Sequence, residues 1–239
     1  MKLSVFFMLT VILMAASCEK EELNYSQGDL KLKIETGKGW NHDFPLFLGL
    51  SKKNPPQFAV WIEDTNGQYI TTLYVSSKIA TEGWIMNGGN RRKEALPYWC
   101  HQRGKQYADG LYLPTKDKPL TDGITGATPK SDKEMLVKLN TIFYPIIIKA
   151  EFNHSVDFND FYTKDVPEGS QYYSGGKMGS GQPALVYSGI LNSSTNKVTL
   201  KLIGHSSPDG SSGNLYPDLS EITTAREIVK QVVVETVIQ

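Results

Sequence analysis

Apolar and polar side chains alternate along several short segments of the chain. Residues 30–35 alternate leucine or isoleucine with lysine or glutamate, a period of two that is typical of a strand with one buried face. A second alternation covers residues 58–63 and is followed by Asn66-Gly67, the strongest short hairpin signal. The pattern therefore predicts a β-hairpin that pairs residues 58–63 with residues 69–75.

Apolar runs predict four more strands in the second half of the chain, at residues 142–152, 184–191, 198–203 and 229–238. Pro145 predicts a bend near the start of the first run. The polar segment between the second and third runs predicts the turn of a second hairpin.

Residues 76–138 lack this periodicity and are rich in glycine, proline, lysine and aspartate, with aromatic residues interspersed. We expect an ordered, loop-rich insertion whose aromatic side chains lie against a sheet. A short helix is predicted after Ser131, because Glu134 completes a capping box. Seven strands with little helix predict an all-β fold, an immunoglobulin-like β-sandwich in which residues 28–239 form one domain.

The N-terminus has the pattern of a bacterial lipoprotein signal. Lys2 precedes an apolar run over residues 3–14, and an Ala-Ala-Ser tripeptide stands directly before Cys18. The run is shorter than the roughly 20 residues of a membrane span. Small residues before a cysteine resemble the lipobox of bacterial lipoproteins, so residues 1–17 are predicted as signal peptide and Cys18 as the lipid anchor. An ordinary secretory signal is the alternative.

Residues 18–27 are predicted as a tether. Within it, the Glu-Lys-Glu-Glu segment at 19–22 resembles the surface-export signal of some Gram-negative lipoproteins, and a plain hydrophilic linker explains the same residues. We therefore predict an outer-membrane lipoprotein that is either periplasmic or surface-exposed. The chain carries 25 basic and 25 acidic residues, and it lacks the basic surplus expected of a nucleic-acid-binding protein.

Cysteine and histidine offer little metal chemistry in the linear sequence. Acylation of Cys18 leaves Cys100 without an intramolecular disulfide partner. Cys100 stands next to His101, but no second cysteine lies at ligand spacing, so we expect a buried, inert thiol. The four histidines lack the spacing of helical metal motifs, although loops could gather them at one end of a sandwich. The acidic segments 157–160 and 209–214 are explained better by turn chemistry than by cation binding.

Several short motifs lie at residues 57–75, 96–99, 122–128 and 151–159, with further ones at 204–205 and 223–225. Together they resemble the family catalogued as domain of unknown function 2271, which groups predicted periplasmic proteins. The resemblance implies an extracytoplasmic sandwich domain, in some cases encoded near flavin-linked redox proteins, with no established activity.

The segment from Asp122 to Thr128, Asp-Gly-Ile-Thr-Gly-Ala-Thr, resembles the acceptor motif of extracytoplasmic flavin transferases, which esterify FMN to the final threonine. The resemblance implies covalent FMN on Thr128, with Asp122 positioning the phosphoryl group through a bound metal ion. An envelope redox protein or flavin transferase would then be the partner. Pro129 directly follows Thr128, which departs from the usual acceptor pattern and restricts Thr128 to extended backbone geometry. A turn in which Thr128 packs or caps is the alternative.

Motifs of common catalytic sites are missing from the sequence, including a nucleophile elbow, a His-Glu-x-x-His helix, a phosphate loop and a dinucleotide fingerprint. We therefore predict a non-catalytic, lipid-anchored binding or accessory protein of the bacterial envelope. One alternative is an electron carrier with FMN on Thr128. A weaker alternative is a surface glycan hydrolase, whose paired carboxylates can lie on distant strands.

Overall fold

The computed structural model describes residues 30–45, 48, 50–84, 91–121, 124–139 and 144–237. The predicted signal peptide, Cys18, the tether and Asp122 lie outside these residues. The described strands are β1 Leu30–Thr36, β2 His42–Pro45, β3 Ser51–Asn54, β4 Gln57–Glu63, β5 Tyr69–Ser76, β6 Ile124–Gly126, β7 Lys133–Val137, β8 Ile146–Asn153, β9 Leu185–Leu191, β10 Lys197–Thr199, β11 Lys201–His205 and β12 Val229–Thr236. Helical segments in the described ranges are α1 Ser77–Ala80, α2 Pro97–Gln102 and 3-10 turns at Gly176–Met178 and Thr224–Glu227.

Two sheets face each other, which confirms the predicted all-β sandwich. The smaller sheet has the strand order β10-β12-β1-β7, and the larger has the order β11-β9-β8-β4-β5-β6. Strands β2 and β3 form a separate ribbon. All pairs in the two sheets are antiparallel except β5 with β6, which run parallel.

The main core lies between the two sheets. Leu30, Leu32 and Ile34 of β1 are fully buried there, as their alternation predicts. From the larger sheet, the rings of Phe58 and Phe152 stack with centroids 5.1 Å apart. Such large aromatic side chains provide much of the apolar area that a sandwich removes from water.

A second core covers the outer face of the larger sheet. Trp61 of β4 and Val75 of β5 pack there with Leu96 and Trp99, the latter on α2. Because both faces are covered, every residue of β4 is buried. The sequence pattern predicted a half-buried strand at this position, and the prediction was wrong because α2 and its flanking loops cover the second face.

The first predicted hairpin is confirmed. The Asp64 carboxylate accepts hydrogen bonds from the backbone N–H groups of Asn66 and Gln68 at 2.8 and 2.9 Å. Gly67 adopts φ +78°, a conformation that glycine tolerates. In the second predicted hairpin β9 pairs with β11 as expected, but β10 first crosses to β12 in the other sheet.

In the described part of residues 76–138 the predicted loop-rich character is confirmed, but this stretch also contributes an edge strand to each sheet. The helix predicted after Ser131 is wrong, because these residues form β7. Met135 and Val137 of β7 are buried in the main core, and the strand pairs with β1. Long-range pairing therefore outweighs the local capping signal.

Candidate functional site

A groove lies at one end of the sandwich. Strands β8 and β11 both pair antiparallel with β9, so their C-terminal ends lie at the same end of the larger sheet. The loop 158–173 follows β8, and the loop 205–221 begins at the last residue of β11. Between these loops lies a cavity of about 620 Å³. We call it the groove.

The loop 205–221 is closed at its base by reciprocal backbone hydrogen bonds. His205 and Tyr216 each donate an N–H to the carbonyl oxygen of the other, both at 2.8 Å. Gly204 permits this approach, because a Cβ at this position would collide with the Tyr216 carbonyl oxygen. The imidazole of His205 and the ring of Tyr216 stack with centroids 5.3 Å apart and an interplanar angle of 13°. The two rings form one flat side of the groove.

Side-chain hydrogen bonds join the two loops. The Asn159 side-chain oxygen accepts the backbone N–H groups of Phe161 and Tyr162, and its amide nitrogen donates to the Glu221 carbonyl oxygen at 2.9 Å. The Tyr172 hydroxyl donates to Glu221 Oε1 at 2.8 Å. These bonds hold the groove open in one shape, which lowers the ordering cost of binding a ligand.

The chemistry of the groove is aromatic and acidic. Among the described residues that line it there are four rings, three carboxylates and several hydroxyl groups, but no lysine or arginine. In a groove without lysine or arginine, carboxylates repel anionic ligands and accept hydrogen bonds from hydroxyl or ammonium groups. The rings and carboxylates belong to Tyr162, Tyr172, His205, Tyr216, Asp209, Asp218 and Glu221.

His205 lines the groove as a neutral ring. Its Nδ1 lies 2.8 Å from the Ser206 carbonyl oxygen, which can only accept, so Nδ1 carries the proton. Burial lowers the pKa of His205 by more than the Ser206 carbonyl and the Asp218 and Glu221 carboxylates raise it. Near neutral pH, Nε2 is therefore a hydrogen-bond acceptor.

Two of the groove carboxylates favour the ionised form. Burial raises the pKa of Asp209, but hydrogen bonds from Ser207 and Ser211 outweigh burial and leave the pKa lowered. The backbone N–H and the hydroxyl of Ser220 lower the pKa of Asp218. A glycosidase general acid needs a raised pKa, so these two aspartates are suited to binding rather than to proton donation.

Two fully buried carboxyl groups, those of Glu63 and Glu151, lie elsewhere, beneath α2. Burial raises the pKa of Glu151 to about 8, although its carboxylate accepts the N–H groups of Tyr98 at 3.2 Å and Trp99 at 2.7 Å. Nearby, Lys149 Nζ lies 2.8 Å from Glu63 Oε2 and donates to the Tyr98 hydroxyl at 2.6 Å. Perturbed pKa values often mark functional sites. Here Glu63 and Glu151 are fully buried, so these contacts hold α2 on the sheet.

Thr128 lies just beyond the edge strand β6 and is half-buried. Its hydroxyl forms a 3.0 Å hydrogen bond with the hydroxyl of Ser76, which also accepts the buried N–H of Phe58. Thr125 and Ala127 beside it are exposed. Thr128 does not line the groove, and its predicted helper Asp122 lies outside the described residues.

The histidines do not converge on one point. His42 and His154 lie with ring centroids 5.2 Å apart, whereas His101 packs at a tilt against Tyr112 and His205 stacks on Tyr216. Burial lowers the pKa of His154 to about 4. In the described part of the chain, no group of three or more His, Cys, Asp or Glu side chains could hold a metal ion. Cys100 is buried as predicted, and burial raises the pKa of its thiol.

Sequence reasoning missed the groove, because its two sides come from the separate loops 158–173 and 205–221, and residues 174–204 lie between these loops in the chain. Within residues 205–221, Tyr216 together with the serines and prolines was the available signal. No family model matches the chain, and no significant match was found among curated proteins or solved structures. The resemblance to domain of unknown function 2271 stays a prediction. Within the described ranges, no helix is long and apolar enough to cross a membrane.

Proposed function

We propose that the protein is a lipid-anchored, extracytoplasmic module of the bacterial envelope that binds neutral or amine-bearing glycans in the groove. The observation that carries the proposal is the combination of aromatic rings, of which Tyr216 is exposed and Tyr172 half-buried, with carboxylates, in a groove whose described lining has no lysine or arginine. Cys18 and its Ala-Ala-Ser flank support the anchor.

A glycan suits the groove in both shape and chemistry. The apolar face of a sugar ring packs on a flat aromatic ring, and Tyr216 is 38% exposed. Sugar hydroxyl groups both donate and accept hydrogen bonds, which matches acidic acceptors such as Asp218 and Glu221 beside serine hydroxyls. A hydrophobic small molecule would need a mostly apolar pocket.

Replacing Tyr216 with alanine is expected to weaken glycan binding about tenfold, which corresponds to about 1.4 kcal/mol for a lost stacking contact. The measurement is titration calorimetry on the full chain with neutral, amino-sugar and sulfated oligosaccharides. The wild-type protein should bind the neutral or amino-sugar probes and reject the sulfated ones.

The matched control is Ile190→Ala, because Ile190 is 56% exposed on β9 and does not line the groove. This variant should bind as the wild type does. Preferred binding of sulfated probes, or equal binding by Tyr216→Ala and wild type, contradicts the proposal. Release of shortened oligosaccharides during the titration would favour the hydrolase alternative over simple binding.

A flavin carrier is the second candidate function, and the position of Thr128 favours it. Thr128 follows the edge strand β6. The nearby residues Thr125 and Ala127 are exposed, so a flavin transferase could reach this segment. Attachment of FMN at Oγ1 would replace the O–H that now pairs with Ser76.

Co-expression with a flavin transferase, followed by intact-mass measurement, tests the carrier function. The wild-type protein should gain the mass of one FMN less one water, because the phosphoester replaces the Thr128 O–H, and Thr128→Ala should gain none. Thr125→Ala is the matched control, because it removes a neighbouring threonine hydroxyl and should leave the modification in place. An unmodified wild-type protein excludes the carrier function.

A further inference from the structure

A second cavity adjoins the groove. It has a volume of about 340 Å³, and its lining includes Lys93, His101, Gln106, Tyr112 and Ser211. Ser211 also lines the groove, so the short loop of residues 207–213 lines both cavities. We call this loop the wall.

The wall is held at a fixed position against α2 and the segment before it. Gly210 adopts φ +69°, and a Cβ there would collide with the Lys93 backbone carbonyl. A Cβ on Gly213 would collide with the side chain of His101. Both glycines therefore allow a close approach that larger residues would prevent. Direct contact with Lys93 and His101 then fixes the position of the wall.

The second cavity repeats the aromatic arrangement of the groove. The His101 imidazole and the Tyr112 ring lie with centroids 4.3 Å apart and an interplanar angle of 32°. His101 Nδ1 lies 2.8 Å from the Pro97 carbonyl oxygen and so carries a proton, as Nδ1 of His205 does. Each cavity thus presents a histidine that is packed on a tyrosine and fixed by a backbone carbonyl.

We infer that the second cavity is a second sugar-binding subsite, and that the ligand is an oligosaccharide that crosses residues 207–213 with one sugar on each side. The inference rests on the proposed glycan-binding function. Two linked subsites raise the affinity for a ligand that is long enough to fill both, because the second contact forms at high effective concentration.

The test is titration calorimetry with cello-, malto- and manno-oligosaccharides of one to six units, on the full chain and two variants. Wild-type affinity should rise about tenfold once the probe can reach both subsites. Tyr112→Ala should remove this gain with length, whereas Tyr216→Ala should weaken the binding of every length. Gln106→Arg, at an exposed position, should crowd the second cavity and act like Tyr112→Ala.

The outcomes separate this inference from the proposed function. If neither these probes nor the amino-sugar probes bind the wild-type protein, both fail. If probes bind and neither Tyr112→Ala nor Gln106→Arg changes the length dependence, the second subsite is excluded while the groove stands. If Tyr112→Ala weakens all lengths equally, Tyr112 acts on the groove through the wall, and the inference is again overturned.

Discussion

Replacing Lys149 with methionine is expected to lower the free energy of unfolding by about 3 kcal/mol, because it leaves the Glu63 carboxylate buried without its ion-pair partner. Glu63 has no exposed surface, and Lys149 is its salt-bridge partner at 2.8 Å. Lys149 also donates to the Tyr98 hydroxyl, so the variant weakens the contact between α2 and the sheet. Urea denaturation monitored by tryptophan fluorescence measures the change.

A double variant distinguishes the cost of the unpaired Glu63 carboxylate from the cost of the packing that Lys149 loses. Glu63→Gln combined with Lys149→Met removes both charges and keeps an oxygen that can accept the Trp61 indole N–H, now 2.7 Å from Glu63 Oε1. We expect the double variant to recover most of the lost stability, since neutral replacement of a buried pair is often nearly neutral in energy. A single variant as stable as the wild type, or a double variant worse than the single, would refute this role for the pair.

Changing Glu151 to glutamine is expected to remove a pH dependence of stability on the order of 3 kcal/mol between about pH 5 and pH 8. Burial raises the pKa of Glu151 from its ordinary value of 4.5 to about 8. Within this window the folded state therefore binds a proton that the unfolded state releases. The stabilisation is fully present below the unfolded-state pKa and is lost as pH rises through the folded-state pKa.

Denaturation curves of the wild type and Glu151→Gln across this pH range provide the measurement. Glutamine keeps an oxygen that can accept the Trp99 N–H, so the variant should fold. Glu134→Gln serves as the control, because Glu134 is an exposed carboxylate on β7 and its loss should leave the wild-type pH profile in place. Parallel profiles for the wild type and Glu151→Gln would show that Glu151 is already ionised in the folded state.

Local sequence patterns predicted those parts of the fold that local physics determines. The alternation at residues 30–35 predicted β1, and Asn66-Gly67 predicted the turn between β4 and β5. In both cases the residues themselves set the backbone geometry or the buried face. The terminal run predicted β12, which lies beside β1.

The sequence predictions failed where contacts between residues far apart in the chain determine the structure. Ser131 and Glu134 fit a capping box, yet burial of Met135 and Val137 and pairing with β1 make this segment a strand. The groove has the same origin, since Asn159 and Tyr172 reach Glu221 from a loop far away in the chain. No linear motif contains such a site.

The central claim is that the groove between the loops 158–173 and 205–221 binds a glycan. Hydrogen–deuterium exchange of the full chain, with and without a saturating neutral hexasaccharide, tests it most directly. We predict slower amide exchange in the two groove loops and unchanged exchange in β1 and β12, which lie in the other sheet. Protection confined to other segments, or no protection at saturation, would contradict the account.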